Sequence, residues 1–140
     1  MAIPTHLRLE FVTPERAIAH EDVDEVQLPG ADGFFGVLPG HAPLLAALKT
    51  GEMWYRKGNE TTFAFIAGGF AEVVGDRVSI LAPVAERAED IDLARAEAAK
   101  RRAEELLAKP MTDMDFERAR IALLRAISRL HIAKQTRSRH

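Results

Sequence analysis

The apolar residues of this sequence change their spacing near Pro83, and that change limits the folds that the chain can adopt. Before it, apolar and polar residues alternate, as in the segment LRLEF at residues 7–11, which is the period of two of a strand with one buried face. After it, glycine is absent, alanine is abundant, and from Ile91 the apolar positions fall at helical spacing. The fold is therefore predicted to be mainly β plus α, with a β domain over residues 1–84 and a helical hairpin over residues 85–140.

Within the β domain, short alternating segments recur between turn signals. Lys57-Gly58-Asn59 and Gly75-Asp76 each separate two such segments, which is typical of β-hairpins. Strands at this close spacing favour an all-β sandwich or barrel. The predicted strands are 7–11, 24–28, 52–56, 61–66, 70–74 and 78–81.

Two helices are predicted in the second part, at about 91–108 and 114–134. Asp90 or Asp92 can cap the first helix and Asp113 the second, because a side-chain oxygen at an N-cap accepts a hydrogen bond from an unpaired backbone N–H. The short connection between them predicts an antiparallel hairpin. Its facing positions are rich in alanine, so we expect the pair to be held weakly and to dock on another surface or change partner.

The residue types present exclude several classes of function. The 140 residues include no cysteine, which rules out disulfides, thiolate zinc sites and cysteine nucleophiles. The five histidines lack metal-ligand spacing, and no nucleophile, base and orienting group can be assembled. No segment approaches the roughly 18 consecutive apolar residues that span a bilayer. We therefore predict a non-enzyme that requires no cofactor and does not insert into a membrane.

Residues 28–45, LPGADGFFGVLPGHAPLL, combine glycine and proline with large apolar side chains. The prolines stiffen the segment, and its glycines give access to positive φ. We read it as a bent, rigid loop whose apolar residues either cap the sandwich or form a surface for a partner. His41 has the same two readings, since its ring can bond a neighbouring carbonyl or contact a partner. The glycines of residues 28–45 that give access to positive φ are Gly30, Gly33, Gly36 and Gly40.

Charge is distributed unevenly along the chain. Residues 1–85 carry 11 acidic and 6 basic side chains, whereas residues 86–140 carry 10 acidic and 13 basic ones. The second part should therefore attract an anionic partner, such as a phosphate, a nucleic acid or an acidic protein surface.

Several of these basic residues share helical faces. Arg125 and Arg129 are four residues apart, and Asp92 and Arg95 lie on one face of the first helix with Arg102. If the helices fold together, the arginines could hold phosphates and the carboxylate a ribose or amine. The alternative is a solvated face of intrahelical ion pairs. Glu97 and Arg101, four residues apart, could form such an ion pair.

Four segments, taken in order, resemble the epsilon subunit of the bacterial F-type ATP synthase. They are LPGADGFFGVLPGHAPLLAAL at 28–48, IAGGFAEVVGDRVSILA at 66–82, AERAEDID at 85–92, and the alanine-rich helical hairpin. The resemblance covers nearly the whole chain. It implies an amino-terminal β-sandwich of two five-stranded sheets followed by a carboxy-terminal pair of helices.

The resemblance also implies a function. An epsilon subunit belongs to the rotor, joins the gamma subunit in the central stalk, sits on the c-ring and helps to couple proton flow to ATP synthesis. Its helical hairpin can extend toward the alpha and beta subunits, where it inhibits ATP hydrolysis. The chain would be peripheral, on the cytoplasmic face of the cell membrane, as part of the F1 complex.

The same resemblance implies partner contacts in the glycine-rich stretch. Phe34, Phe35 and His41 become candidates for contact with the c-ring or gamma. Many relatives carry an acidic or otherwise polar residue where this chain has Phe34, so an apolar contact is expected to replace a polar one.

Some members of the family bind ATP in the folded hairpin through an I-D-x-x-R-A motif, which this chain has at residues 91–96. ATP is thus implied as a regulatory ligand that stabilises the folded hairpin, with ADP less effective. The positions that match the nucleotide site are Glu86, Asp92, Arg95, Ala96, Arg102, Arg125 and Arg129.

Two other readings remain at this point. The chain could be a free nucleotide-binding regulatory module, or a β-sandwich scaffold whose basic tail binds nucleic acid. The tail lacks the interleaved aromatic residues of a nucleic-acid surface, so no nucleic-acid partner is expected. Copurification distinguishes the three readings: gamma and the catalytic subunits for a stalk component, neither of these for a free module, and nucleic acid with steep salt dependence for the scaffold.

Overall fold

The structure, a computed structural model, describes residues 5–138 and divides after Arg87 into two compact units. The first unit is all β and the second is helical. The sequence predicted the boundary at residue 84, whereas a last short strand extends the β unit to Arg87. That strand was missed because its three residues pair with a neighbour distant in sequence and carry no alternating pattern of their own.

The first unit is a sandwich of two five-stranded sheets, which confirms the fold implied by the resemblance. The first sheet has the order β2-β1-β9-β8-β5 and the second the order β10-β7-β6-β3-β4. All pairs are antiparallel except β1 with β9. The strands are β1 (Leu7–Val12), β2 (Ala17–Val23), β3 (Glu25–Gly30), β4 (Gly33–Val37), β5 (Leu44–Ala47), β6 (Gly51–Lys57), β7 (Glu60–Ile66), β8 (Phe70–Val74), β9 (Arg77–Leu81) and β10 (Ala85–Arg87).

The core lies between the sheets and follows from the alternation within the strands. Leu7, Leu9 and Phe11 of β1 are fully buried, while the residues between them face outward. Met53 and Ile66 contribute from the second sheet. Each large apolar side chain buried in this way stabilises the fold by about 1.5–3 kcal/mol, so the inward faces account for the sandwich.

The stretch at residues 28–45 is not the loop that the sequence predicted, because β3, β4 and β5 run through it. β3 and β4 form a hairpin in which Gly30 pairs with Gly33, leaving Ala31 and Asp32 as a two-residue turn. Glycine and proline suggested a loop, but only the tip of this hairpin and the connection to β5 require such residues.

The glycines of this stretch also differ from the prediction. Gly33 and Gly40 have positive φ, at 133° and 89°, but Gly30 and Gly36 do not. Gly30 is needed for close approach instead, because a Cβ there would lie 2.7 Å from the carbonyl oxygen of Gly33 and 2.9 Å from the ring of Phe35. A Cβ at Gly36 would meet open space.

The second unit contains two helices, α1 (Leu93–Leu107) and α2 (Asp113–Ser138), preceded by a 3₁₀ turn at Ala88–Asp90. Asp92 caps α1, since its Oδ1 accepts a hydrogen bond from the Arg95 backbone N at 3.1 Å. Asp113 was predicted to cap α2, but Thr112 does so, with its Oγ1 accepting from the Asp115 N at 3.2 Å. A hydroxyl one residue earlier is as effective a cap as a carboxylate.

The two helices pack along each other through small side chains. The buried residues of α1 are alanines, and α2 adds two large buried side chains, Leu130 and Ile132. Both helices differ from the predicted limits of 91–108 and 114–134 mainly at one end, where α2 continues to Ser138. The buried alanines of the pair are Ala96, Ala103, Ala119, Ala126 and Ala133.

Replacing Gly30 by alanine should destabilise the sandwich, because the new Cβ must displace either the hairpin backbone or the Phe35 ring. Overpacking of this kind costs roughly 1–3 kcal/mol. Gly36→Ala is the matched control and should be neutral or slightly stabilising, since it has space and an ordinary φ. Urea unfolding followed by the fluorescence of Trp54, the single tryptophan, reports on the sandwich. Equal midpoints for the two variants would contradict the close-approach role of Gly30.

Candidate functional site

The tip of the β3–β4 hairpin presents an aromatic side chain to solvent. Phe34 is 59% exposed, and the Lys49 Nζ lies 5.7 Å from the centre of its ring, within the range of a cation–π contact. Phe35, the next residue, points to the other face of the strand and packs against the core. Of these two predicted contact residues, Phe34 is therefore the one that a partner could cover.

His41 lies in the connection between β4 and β5 and is tied to its own loop. Its Nδ1 is 2.6 Å from the Ala42 carbonyl oxygen and donates a hydrogen bond to it, while its backbone N donates to the Leu38 oxygen at 3.0 Å. The ring thus fixes the loop that carries it. Its predicted role in partner contact remains a prediction.

A row of apolar side chains crosses the outer face of the first sheet. The row consists of Ala47, Phe70, Leu81 and Val12, which are neighbours on β5, β8, β9 and β1. Phe70 is 59% and Leu81 55% exposed. Residues directly opposite each other on paired strands share a face, so this apolar row forms one continuous strip of surface.

The apolar row and the hairpin tip are adjacent. The Ala31 backbone N donates to the Ala47 carbonyl oxygen at 2.9 Å, and Gly30 forms a bridge with Leu48. The hairpin tip and the apolar row therefore lie at the same edge of the sandwich, with Phe34 on the outer face of the second sheet and the row on that of the first. Exposed apolar surface that is continuous over several residues marks a site of protein contact more often than scattered single residues do.

The sequence interpretation missed the apolar row. Its signal is present, because β8 reads FAEVV and buries its second and fourth residues, which leaves Phe70 and Val74 on the wet face. A strand with large apolar residues at both parities is typical of one that is covered on both sides. Which of these residues become neighbours depends on strand pairing, which the sequence pattern does not give.

The residues proposed for a nucleotide are distributed over both units. Glu86 lies in β10 of the sandwich, whereas the other six are in the helical unit. Asp92 uses one carboxylate oxygen to cap α1, and Ala96 is buried in the helix pair. In the described part of the chain, the exposed side chains of Arg102 and Arg125 form no ion pair.

The alternative reading predicted intrahelical ion pairs on this face, and the structure shows some of them but not others. Glu97 and Arg101 form no ion pair within residues 5–138, whereas Glu117 and Arg120 pair at 3.0 Å. The hydrogen bond from Arg120 lowers the pKa of the Glu117 carboxyl, and the same contact raises the pKa of Arg120. Both groups are exposed, so the pair adds little stability.

Helix α2 has a second apolar face that α1 does not cover. Phe116, Leu124 and Ile127 are 45%, 47% and 46% exposed and lie on one side of the helix at spacings of eight and three residues. Ala119 and Ala126, by contrast, are buried. A helix that served only in this hairpin would carry polar residues on that side.

The described part of the chain contains neither a cluster of metal-ligating side chains nor a helix that could span a membrane. Over residues 5–138, no three acidic or histidine side chains converge as metal ligands would. None of the helices in the same range combines the length and the apolar character needed to cross a bilayer.

Comparison with known proteins gives matches along nearly the whole chain. The family model of the ATP synthase delta/epsilon chain β-sandwich domain matches residues 6–88, and that of its long α-helix domain matches residues 89–134. The ATP synthase epsilon chain of Syntrophobacter fumaroxidans is 50% identical over 130 residues, covering 93% of this chain and 97% of that protein. The epsilon chain of Nitratidesulfovibrio vulgaris strain DP4 is 48% identical over 126 residues, covering 90% and 94%.

Solved structures share the fold. A chain in the Euglena gracilis mitochondrial ATP synthase, in a structure of OSCP, F1 and the c-ring, aligns with a TM-score of 0.72 at 23% identity and covers 99% of this chain and 83% of that one. A chain in the central stalk and c-ring structure of the Tetrahymena thermophila mitochondrial ATP synthase aligns with a TM-score of 0.55 at 13% identity, covering 93% and 95%.

Proposed function

This chain belongs to the delta/epsilon family of ATP synthase chains, and from that premise we propose that it is a non-catalytic rotor subunit of the central stalk that helps to couple proton flow to ATP synthesis. Its partners in this role are the gamma subunit and the c-ring. The chain works at the cytoplasmic face of the membrane as a peripheral part of F1, held there by these subunits.

The observation that carries this proposal is the exposed apolar row on the outer face of the first sheet. A stalk subunit must be held by protein surfaces on one side while it rotates, and this side has the chemistry for such contact. Phe34 adds an exposed aromatic side chain at the hairpin tip. Lys49, above the ring, adds a positive charge beside it.

Substituting Phe70 by glutamate should weaken assembly, because the contact would bury a charge without a partner. Loss of a central interface residue of this kind costs about 2 kcal/mol or more, which corresponds to at least roughly tenfold less gamma and c-ring copurifying with a tagged chain. Val74→Glu is the matched control, since Val74 is also exposed on β8 but lies outside the row.

The copurification has clear contrary outcomes. Absence of gamma and c-ring from the unmodified chain would contradict the stalk assignment and favour a free module. Equal loss of partners in both variants would contradict the role of the apolar row. Nucleic acid that is released by salt would support the third reading instead.

We further propose that the helical hairpin inhibits ATP hydrolysis by binding the alpha and beta subunits. The second apolar face of α2 supports this, since Phe116, Leu124 and Ile127 are available to another surface while the alanine face holds α1. The arginine-rich end of the chain suits an acidic surface on that partner.

Leu124→Glu in the assembled complex should raise the rate of ATP hydrolysis. An unpaired carboxylate in an apolar contact costs more than the roughly 1–3 kcal/mol of a neutral polar group, and the inhibited population falls accordingly. Leu124 is 47% exposed, so the substitution should leave the hairpin folded. Ala122→Glu places the same charge on another exposed part of α2 and should leave the rate unchanged. Unchanged hydrolysis in Leu124→Glu would contradict inhibition through this face.

A regulatory ATP site in the hairpin is the third part of the proposal. Its residues are those of the motif match, and its support is that Arg102 and Arg125 are exposed and form no ion pair in the described chain. Guanidinium groups without a carboxylate partner are suited to phosphate oxygens. Asp92 has a second carboxylate oxygen beyond the one that caps α1, which can accept from a ribose hydroxyl.

Arg125→Glu should weaken ATP binding by at least about tenfold, because it removes one charge-assisted contact and adds repulsion. Lys134→Glu makes the same change of charge nine residues along α2, on the opposite side of the helix, and should bind ATP normally. Calorimetry with millimolar ATP and ADP measures both affinities in the full chain. No heat with ATP in the unmodified chain, or equal losses in the two variants, would contradict the site.

A further inference from the structure

The last strand of the sandwich is held by little backbone pairing. β10 has three residues, Ala85–Arg87, and lies at the edge of the second sheet with β7 as its one neighbour. One further backbone bond joins the Ala67 N to the Val84 oxygen at 3.0 Å. So short an edge strand is marginal without additional contacts.

The side chain of Arg87 supplies such contacts. Its Nη2 donates a hydrogen bond to the carbonyl oxygen of Ile18, which lies in β2, the edge strand of the first sheet. The guanidinium also interacts with Tyr55 of β6. Arg87 therefore links the free edges of both sheets on the side of the sandwich from which the chain leaves.

The surroundings of this arginine make the link strong. Tyr55 is 3% exposed, and burial raises the pKa of its phenol while the positive charge of Arg87 acts in the opposite direction. Arg87 itself is half-buried. Hydrogen bonds made by a charged donor in such a setting contribute more than those at the surface.

The direction of the Arg87 side chain follows from the strand. Residues two apart on a strand point to the same face, so Arg87 shares the inward face of Ala85, which is 6% exposed. Glu86 points to the other face. Anchoring Arg87 thus fixes the backbone that presents Glu86 and ends the β unit one residue before the helical unit begins at Ala88.

We propose that Arg87 is a latch that holds β10 on the sandwich and thereby sets Ala88 as the point from which the helical unit departs. Without the latch, β10 detaches from β7 and the flexible junction moves back to Val84.

Hydrogen–deuterium exchange of the full chain tests this proposal. Arg87→Ala should accelerate exchange at residues 84–88 and at the facing residues 64–67 by about tenfold or more, as expected for loss of charged hydrogen bonds. The strands far from β10, such as β8 and β9, should exchange as before, because the opening is local. Arg77→Ala, at an exposed arginine of β9, is the control and should change neither region.

Arg87→Lys keeps the charge but lacks the planar fork, so it should accelerate exchange at β10 less than alanine does. It also supplies the measurement if the alanine variant does not fold. Unchanged exchange at β10 in the lysine and alanine variants would overturn the proposal. Equal acceleration of all ten strands would overturn it too, because Arg87 would then support the sandwich as a whole and not its last strand.

Discussion

The parallel pairing of β1 with β9 is the contact on which the rest of the sandwich depends. It joins the amino-terminal strand to one some 70 residues later in the chain, and it places β1 in the interior of the first sheet. The inward residues of β1 then complete the core, and its outward Val12 comes beside Leu81 to extend the apolar row. One register thus decides both what the fold buries and what it leaves for a partner.

Each of the two units exposes apolar surface that its own packing does not cover. In the sandwich, the surplus is the apolar row with Phe34, on a rigid and well-buried frame. In the helical unit, it is the second face of α2, on a frame held mainly by alanine. A rigid surface suits a permanent contact, whereas a face on a weakly held helix pair suits a contact that is made and released.

Sequence patterns predicted the elements whose own residues carry the signal. β6 to β9 alternate and are separated by glycine turns, and α1 and α2 show the helical period. β2 reads AIAHEDV and was missed, because a strand at a sheet edge tolerates charged residues that resemble a loop. β4 and β5 were concealed by glycine and proline. The apolar row could not be predicted, because it consists of residues from four strands whose registers are set by tertiary pairing. The motif supplied the residues that we propose for a nucleotide, but their distribution over both units is visible only in the fold.

The alanine interface between α1 and α2 bears on the change of state that we propose for the hairpin. A buried alanine removes little apolar area, and each CH₂ group contributes about 0.8 kcal/mol, so the alanines of this interface hold the helices less strongly than leucines would. Leu130 and Ile132 of α2 are the large side chains buried besides them. A ligand present at 100 times its dissociation constant stabilises the state that it binds by about 2.7 kcal/mol. A single buried alanine contributes less than this. A seam built from leucine would raise the free energy that a ligand or a competing surface must supply in the change of state that we propose. The small side chains therefore favour that proposal, because they lower the free-energy difference that either has to overcome.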